Sequence, residues 1–253
     1  MDSVQYNRRP SYRTRSLKAE DVHVWRICLD RDLSYVNTLF QTLSSDERKK
    51  AESYRIDDDS NRFVVARGTV RKILGRYLNS DPDQIRFSYT RYGKPFLNLE
   101  GNPIRFNVTH SRGLALFAIT RGLEVGIDVE FIDKNFPIVK TARQVFSSTK
   151  CTELQSLEPD LQVAAFFQSW TLKEAYLKAI GTGFSNPGRY YTDLAIPVES
   201  DFSLRTSVFE NRRGWTFANL AVDSNYKAAL AVVGKIGDIR YHRIGTESLY
   251  KRV

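Results

Sequence analysis

Two short segments of this 253-residue chain combine acids and a lysine at spacings that suit metal or phosphate chemistry. The first, VGIDVE at 125–130, predicts a strand in which side chains alternate, so Asp128 and Glu130 share one face. Two adjacent carboxylates repel each other unless a cation lies between them, and Mg²⁺ prefers oxygen ligands of this kind. The alternative is an edge strand whose acidic face is simply solvated.

The second segment, FFQSWTLKEAYLKAIGTG at 166–183, predicts an amphipathic helix that ends in a glycine-rich exit. Trp170, Glu174 and Lys178 stand one helical turn apart, which places an aromatic ring, a carboxylate and a cation in one row. An ordinary Glu–Lys pair on a solvated helix, which contributes about 0.2–0.5 kcal/mol, fits the same spacing.

The predicted elements that must position these residues occur in the same order in each half of the chain. A strand is followed by a long helix and then by a hairpin: 22–29, 60–78 and 104–120 in the first half, and 125–129, 160–180 and 215–233 in the second. This order predicts an α+β fold of two similar lobes, each a long helix packed on a small, mostly antiparallel sheet. We place the boundary between the lobes at 122/123.

The composition limits the class of protein. A hydrophobic fraction of 42% supports a real core in one large or two small domains. Cys28 and Cys151 indicate neither a disulfide framework nor a zinc site, so we expect a reducing, cytoplasmic location. No apolar run reaches the roughly 20 residues of a membrane span, and the basic arm at 1–18 lacks the apolar core of a signal peptide.

Two further motifs precede the acidic strand, namely YGKP at 92–95 and FNVTHS at 106–111. Together with VGIDVE and WTLKEAYLK, and in this order, they resemble the Sfp-type 4′-phosphopantetheinyl transferases. That family carries a (V/I)GxDxE segment followed by a WxxKEAxxK segment, which match 125–130 and 170–178 here. The resemblance covers roughly residues 44–183 and includes the pseudo-twofold fold.

The resemblance implies an enzyme that moves the 4′-phosphopantetheine arm of coenzyme A onto a serine of an acyl or peptidyl carrier protein. It implies that adenosine 3′,5′-bisphosphate is released and that the reaction depends on Mg²⁺. Activated carrier proteins serve fatty acid, polyketide or nonribosomal peptide biosynthesis. An acidic carrier would account for part of the net charge of +9. We expect a monomer with no nucleic-acid or membrane partner.

The resemblance also assigns residues to each lobe. In the second lobe (123–253), the metal ligands would be Asp128, Glu130 and Glu174, and the catalytic residues would be Asp128, Glu174 and Lys178. In the first lobe (1–122), coenzyme A would contact Lys50, Arg62, Lys94, Pro95, Thr109 and His110, and Lys178 would join them from the second lobe.

Two positions depart from the family pattern. Glu47 stands where some relatives have a lysine, which leaves a phosphate contact from that position open. Lys150 stands where many relatives have a glutamate. Because a lysine of ordinary pKa is a cation at neutral pH, it cannot accept the serine proton, so we expect this role to fall to Glu174 or to a water that it orients. We expect Lys150 to lie in a polar, exposed segment.

Two other functions fit parts of the sequence. The net charge and the arginine-rich first residues fit a basic nucleic-acid-binding protein without catalysis, although the cations lack interleaved aromatics as a stacking platform. Clustered carboxylates would also repel a phosphate backbone unless a metal lay between them. Another Mg²⁺-dependent phosphotransferase fits the acids, but the sequence contains no P-loop.

Overall fold

A computed structural model describes residues 17–181, 207–211 and 214–244, with the backbone alone for 160 and 207–211. The strands are β1 (Val22–Cys28), β2 (Phe87–Tyr89), β3 (Pro95–Leu97), β4 (Ile104–Ser111), β5 (Leu114–Arg121), β6 (Val125–Phe131), β7 (Ser207–Asn211), β8 (Trp215–Asn219), β9 (Tyr226–Val233) and β10 (Ile239–Arg243). The helices are α1 (Leu33–Phe40), α2 (Ser45–Glu52), α3 (Asp57–Leu78), α4 (Ile138–Val145), α5 (Ser148–Gln155) and α6 (Pro159–Ile180). Most of the predicted basic arm, and the predicted exit beyond Gly181, lie outside the described residues.

Two four-stranded sheets form the middle of the protein, in the orders β10-β1-β5-β4 and β6-β9-β8-β7. Neighbouring strands are antiparallel, except that β10 runs parallel to β1. The long helix α3 packs on the outer face of the first sheet, and α6 packs on the outer face of the second. The α+β fold of two similar lobes is therefore confirmed. No helix in the described ranges is long and apolar enough to cross a membrane.

Strand β5 lies in the middle of the layers. Leu114 and Leu116 pack between the two sheets, whereas Phe117 and Ile119 pack toward α3. Because both faces of the strand are covered, its sequence is almost continuously apolar instead of alternating. The inner faces of the two sheets therefore share one apolar cluster, which joins the lobes.

The last strand, β10, returns from the second half of the chain to the sheet of the first lobe. Val22 of β1 pairs with Ile239, and the His242 ring stacks on the Trp25 ring with 4.4 Å between their centroids. The polar sequence after residue 234 gave no alternating pattern that predicts this strand. The boundary at 122/123 stays a prediction, and β10 completes the first sheet from beyond it.

The position of Lys150 differs from the expectation that it is exposed. It lies near the start of α5, where only 9% of the residue is exposed, and its ammonium is 3.4 Å from the Glu153 carboxylate. Ser148 and Thr149 are exposed as expected, but Lys150 itself is buried because Phe146 and Leu154 pack against α6 and draw this side of α5 inward. The polarity of the segment alone did not indicate this burial.

Candidate active site

Polar side chains of β4 join the two sheets along their adjacent edges, where β4 lies beside β6. The Asn107 side-chain oxygen accepts a hydrogen bond from the Ile127 N–H at 2.9 Å. Four residues after Asn107, the Ser111 hydroxyl donates to the Glu130 carboxylate at 3.0 Å and accepts from the Phe131 N–H at 3.1 Å. Side chains thus replace a backbone ladder at this junction and fix β6 relative to β4.

Asp128 lies at the centre of this junction and is only 2% exposed. Its Oδ1 atom accepts from the Lys178 ammonium at 2.5 Å and from the Thr109 hydroxyl at 3.0 Å. The same ammonium also donates to Thr109 Oγ1 at 3.1 Å. Asp128 Oδ2 is buried, and among the residues that the structure describes it has no hydrogen-bond partner.

These contacts exclude both simpler interpretations of the two segments. The face of β6 that carries Asp128 packs under α6 and is not a solvated acidic edge. Lys178 pairs with Asp128 across the lobe and not with Glu174 one turn before it on α6. The predicted common face of Asp128 and Glu130, opposite the apolar face that carries Ile127, is confirmed.

The two glutamates beside Asp128 hold their protons more tightly than usual. Burial, followed by the negative charges of Asp128 and Glu130, raises the pKa of Glu174 to about 7, although Lys178 opposes the shift. Burial and the charge of Asp128 also raise the pKa of Glu130, while hydrogen bonds from Ser111 and Trp170 oppose that change. The negative charge of Asp128 therefore acts on the pKa of both glutamates more strongly than the positive charge of Lys178 does.

Gly126 explains how α6 comes close enough to β6 for these contacts. A β-carbon at this position would overlap the backbone of α6 at Ala175 O and Ala179 N. Backbone atoms of a packed helix cannot rotate away as a flexible side chain could. The glycine of the VGIDVE segment therefore allows the close approach of strand and helix.

We expect Gly126→Ala to lower the free energy of unfolding by about 1–3 kcal/mol or more, because α6 must move outward. Chemical denaturation measures the loss. Gly237→Ala is the matched control, since its added β-carbon would meet neighbours only at ordinary contact distances of 3.5 Å and beyond. Equal stability of the two variants would show that α6 does not pack this closely on β6.

A cavity of about 480 Å³ opens on the other face of β4, between that strand and the helices α2 and α3. Cationic and ring-bearing side chains line much of it, including Lys50, Arg62, Arg67, His110, Arg112, Tyr54 and Phe63. His110 follows Thr109 on β4 and therefore points to the cavity, whereas Thr109 points to the acids. Burial, together with the charges of Lys178 and Lys50, lowers the pKa of His110. The arrangement suits a ligand with several phosphate groups.

Two family models cover most of the chain: 4′-phosphopantetheinyl transferase, N-terminal, matches residues 31–121, and the 4′-phosphopantetheinyl transferase superfamily matches residues 124–231. The 4′-phosphopantetheinyl transferase HetI of Nostoc sp. is 35% identical over 221 residues, which are 87% of this chain and 90% of that protein. The chain belongs to the 4′-phosphopantetheinyl transferase family.

More distant members also align over most of the chain. The 4′-phosphopantetheinyl transferase Sfp of Bacillus subtilis is 28% identical over 210 residues, covering 82% of this chain and 90% of that protein. The human L-aminoadipate-semialdehyde dehydrogenase-phosphopantetheinyl transferase is 26% identical over 211 residues, covering 76% and 67%. None of these findings favours the nucleic-acid-binding alternative.

Within this phosphopantetheinyl transferase, three of the predicted coenzyme A ligands lie together. Lys50, Arg62 and His110 line the cavity, and the Arg62 guanidinium pairs with the Asp30 carboxylate at 2.7 Å. The Lys50 ammonium lies 5.2 Å from the centroid of the Phe63 ring. Their roles toward coenzyme A stay predictions, which this grouping supports.

The other predicted ligands face elsewhere. Thr109 is engaged with Asp128 and Lys178, and Pro95 pairs with Tyr89 in the small β2–β3 hairpin. The Lys94 ammonium donates to backbone carbonyls of the second lobe and does not line the cavity.

Glu47 has a structural role in this transferase. Its carboxylate accepts from Arg71 at 2.7 Å, lies 3.5 Å from Arg67, and completes a capping box with Ser44 at the start of α2. An acid at this position therefore holds α2 against α3 and leaves no cation there for a phosphate.

Sequence patterns left three residues of the site without a role. Asn107 and Ser111 fix β6, and Arg112 lines the cavity while its guanidinium lies 3.5 Å from the centroid of the Phe131 ring. The alternation of Asn107, Thr109 and Ser111 along one strand was the available signal, because it predicts a polar face opposite the apolar residues Ile104, Phe106 and Val108.

Proposed function

We propose that this protein transfers the 4′-phosphopantetheine arm of coenzyme A to a serine of an acyl or peptidyl carrier protein. Adenosine 3′,5′-bisphosphate would be the second product. The observation that carries the proposal is the division of charge across β4, with a cationic cavity on one face and three acids on the other. A nucleotide with several phosphates needs the cationic cavity. The transfer of its phosphoryl group to a hydroxyl uses the three acids.

The residues on the two faces of β4 would have different roles in the reaction. Lys50, Arg62 and His110 would hold the nucleotide end of coenzyme A. The serine hydroxyl would attack the phosphorus next to the pantetheine, and the bond from that phosphorus to the bridging oxygen would break. The hydroxyl proton would pass to Glu174, directly or through a water, since a pKa of about 7 suits a general base. Lys178 would offset the charge that develops on the leaving group.

Mg²⁺ is the metal ion that we infer for this site. In the part of the chain that the structure describes, no three acidic, histidine or cysteine side chains are grouped closely enough to hold a metal by themselves. Mg²⁺ commonly uses only one or two carboxylates and takes its other ligands from water and substrate phosphates. The Oδ2 atom of Asp128 is buried and has no hydrogen-bond partner within the described ranges, and the pKa values of Glu130 and Glu174 are raised. Both observations fit such an ion.

In the proposed complex, Asp128 and one of the two glutamates, Glu130 or Glu174, would hold Mg²⁺. The ion would supply positive charge to the pyrophosphate of coenzyme A. The monomeric state and the cytoplasmic location of the protein stay predictions.

Intact-mass measurement of a carrier protein tests the function. The protein is incubated with coenzyme A, Mg²⁺ and an apo carrier, and we expect the carrier to gain one phosphopantetheine group. A carrier whose acceptor serine is replaced by alanine should gain nothing. If several apo carriers stay unmodified while the protein binds random duplex DNA with a steep salt dependence, the nucleic-acid alternative is correct.

His110→Ala should raise KM for coenzyme A by about tenfold, or about 1.4 kcal/mol, and change KM for the carrier much less. If a phosphate contact is equally strong in the ground state and the transition state, its loss weakens substrate binding and leaves kcat nearly unchanged. Steady-state kinetics with each substrate varied in turn measure the effect. Lys49→Ala, which removes an exposed cation that does not line this cavity, is the control. An increase confined to KM of the carrier would place His110 outside the nucleotide site.

A further inference from the structure

Lys94 reaches from the first lobe into the second. It lies in the turn between β2 and β3, where the Thr90 hydroxyl oxygen accepts from its backbone N–H at 3.1 Å. Its ammonium donates to Ala179 O at 2.9 Å and to Val125 O at 3.2 Å. The carboxylate of Glu124 lies 3.6 Å away, and only 14% of the Lys94 side chain is exposed. Burial lowers the pKa of this lysine.

The two carbonyls that Lys94 holds belong to the elements that carry the acids. Ala179 lies in the last turn of α6, where carbonyls have no partner within the helix and the helix dipole favours a cation. The helix ends at Gly181, which has a left-handed φ of 71° and whose N–H bonds to Leu177 O at 3.0 Å. Val125 is the first residue of β6. One ammonium therefore ties the end of the helix to the start of the strand.

Lys178 immediately precedes Ala179, and Asp128 follows Val125 by three residues. A shift of the last turn of α6 relative to β6 would therefore change the distance between the Lys178 ammonium and Asp128. An ammonium has three donors, and in Lys94 two carbonyls and a carboxylate already surround them. Moving this group onto a phosphate would leave two largely buried carbonyls without a partner, which is costly.

We propose that Lys94 is a positioning residue, which holds α6 against β6 so that Lys178 and Glu174 face the transferred phosphoryl group, and that it is not a phosphate ligand. The inference rests on the proposed function of the site. It differs from the role that the YGKP motif implies, in which this lysine contacts coenzyme A.

Steady-state kinetics of Lys94→Met distinguish a positioning residue from a phosphate ligand. They are measured with coenzyme A and with 3′-dephospho-coenzyme A. We expect kcat to fall by about ten- to a hundredfold with both substrates, while both KM values stay within about twofold of those of the unchanged protein. Lys94→Arg, which can still donate to both carbonyls, should retain more of kcat. Lys50→Ala is the comparison for a binding role, because loss of a cavity cation should raise KM for coenzyme A. A rise in either KM of Lys94→Met with unchanged kcat would overturn the proposal.

Amide hydrogen exchange gives a readout that does not depend on activity. We expect Lys94→Met to speed exchange at residues 177–181 and 125–127, and Lys50→Ala to leave exchange there unchanged. If the unchanged protein transfers nothing to any carrier, the proposed function fails while this measurement still tests the contact between Lys94 and α6. Unchanged exchange in both segments of Lys94→Met would show that Lys94 does not position them.

Discussion

Asp128→Asn should lower kcat for transfer by at least about a thousandfold, or about 4 kcal/mol, while coenzyme A still binds. The substitution keeps the shape of the side chain and the acceptor for Thr109 and Lys178, but it removes the negative charge. Lys178 then loses its ion-pair partner, and the proposed metal loses a ligand. The cavity on the other face of β4 is untouched, so binding of the nucleotide should persist.

Two measurements check this result. Intact-mass kinetics follow transfer to the carrier, and calorimetry follows coenzyme A binding without a carrier. Asp83→Asn, which changes an exposed acid in the loop before β2, should match the unchanged protein in both. Full activity of Asp128→Asn, or full activity of the unchanged protein in excess EDTA, would remove the metal from the proposed mechanism.

Glu174→Gln should be nearly inactive, because glutamine cannot accept the serine proton. We expect kcat to fall by about a hundredfold or more, which is about 2.7 kcal/mol, with little change in KM for coenzyme A. Glu100→Gln, at an exposed position between β3 and β4, is the control. A variant of Glu174 that retains kcat would move the base to another group.

The same substitution should stabilise the protein in EDTA at high pH. The pKa of Glu174 is raised from 4.5 to about 7 in the folded state, so this state binds more protons than the unfolded state between those values. Stability therefore falls as the pH rises from about 4.5 through about 7, and the penalty is fully present above that range. Glutamine removes the penalty.

Thermal unfolding in EDTA tests the sign of this effect. We expect Glu174→Gln to have a higher Tm than the unchanged protein at pH 8 and the same Tm near pH 4, where the carboxyl is protonated in both states. A lower Tm at pH 8 would show that the carboxylate stabilises the fold, contrary to its raised pKa.

Periodicity predicted which residues share a face, but not which of them pair. Strand alternation separated Asp128 from Ile127, and helical spacing placed Glu174 and Lys178 on one side of α6. Whether Lys178 pairs with Glu174 or with Asp128 depends on the distance from α6 to β6, which the absence of a side chain at Gly126 determines. The local spacing is the same whichever carboxylate Lys178 pairs with, so the sequence alone did not decide between the two ion pairs.

Burial and long-range contacts were the other missing information. Lys150 stands in a polar segment, yet it is buried because Phe146 and Leu154 on either side of it pack on α6. Lys94 lies in a motif whose resemblance implied a phosphate contact, yet its flexible stem reaches carbonyls that are distant in sequence. Contacts with residues that are distant in sequence therefore determine both the burial of Lys150 and the partners of Lys94.

The parallel pairing of β10 with β1 has a consequence for synthesis and folding. Because Val22 pairs with Ile239, a nascent chain cannot complete its first sheet until nearly all of the described residues have left the ribosome. Until then, β1 presents an unpaired edge, which is a site for pairing with other chains. Such distant contacts also slow folding, since a long loop must close first. The two lobes are therefore not separable modules, and a fragment that ends at residue 122 would keep an open strand edge.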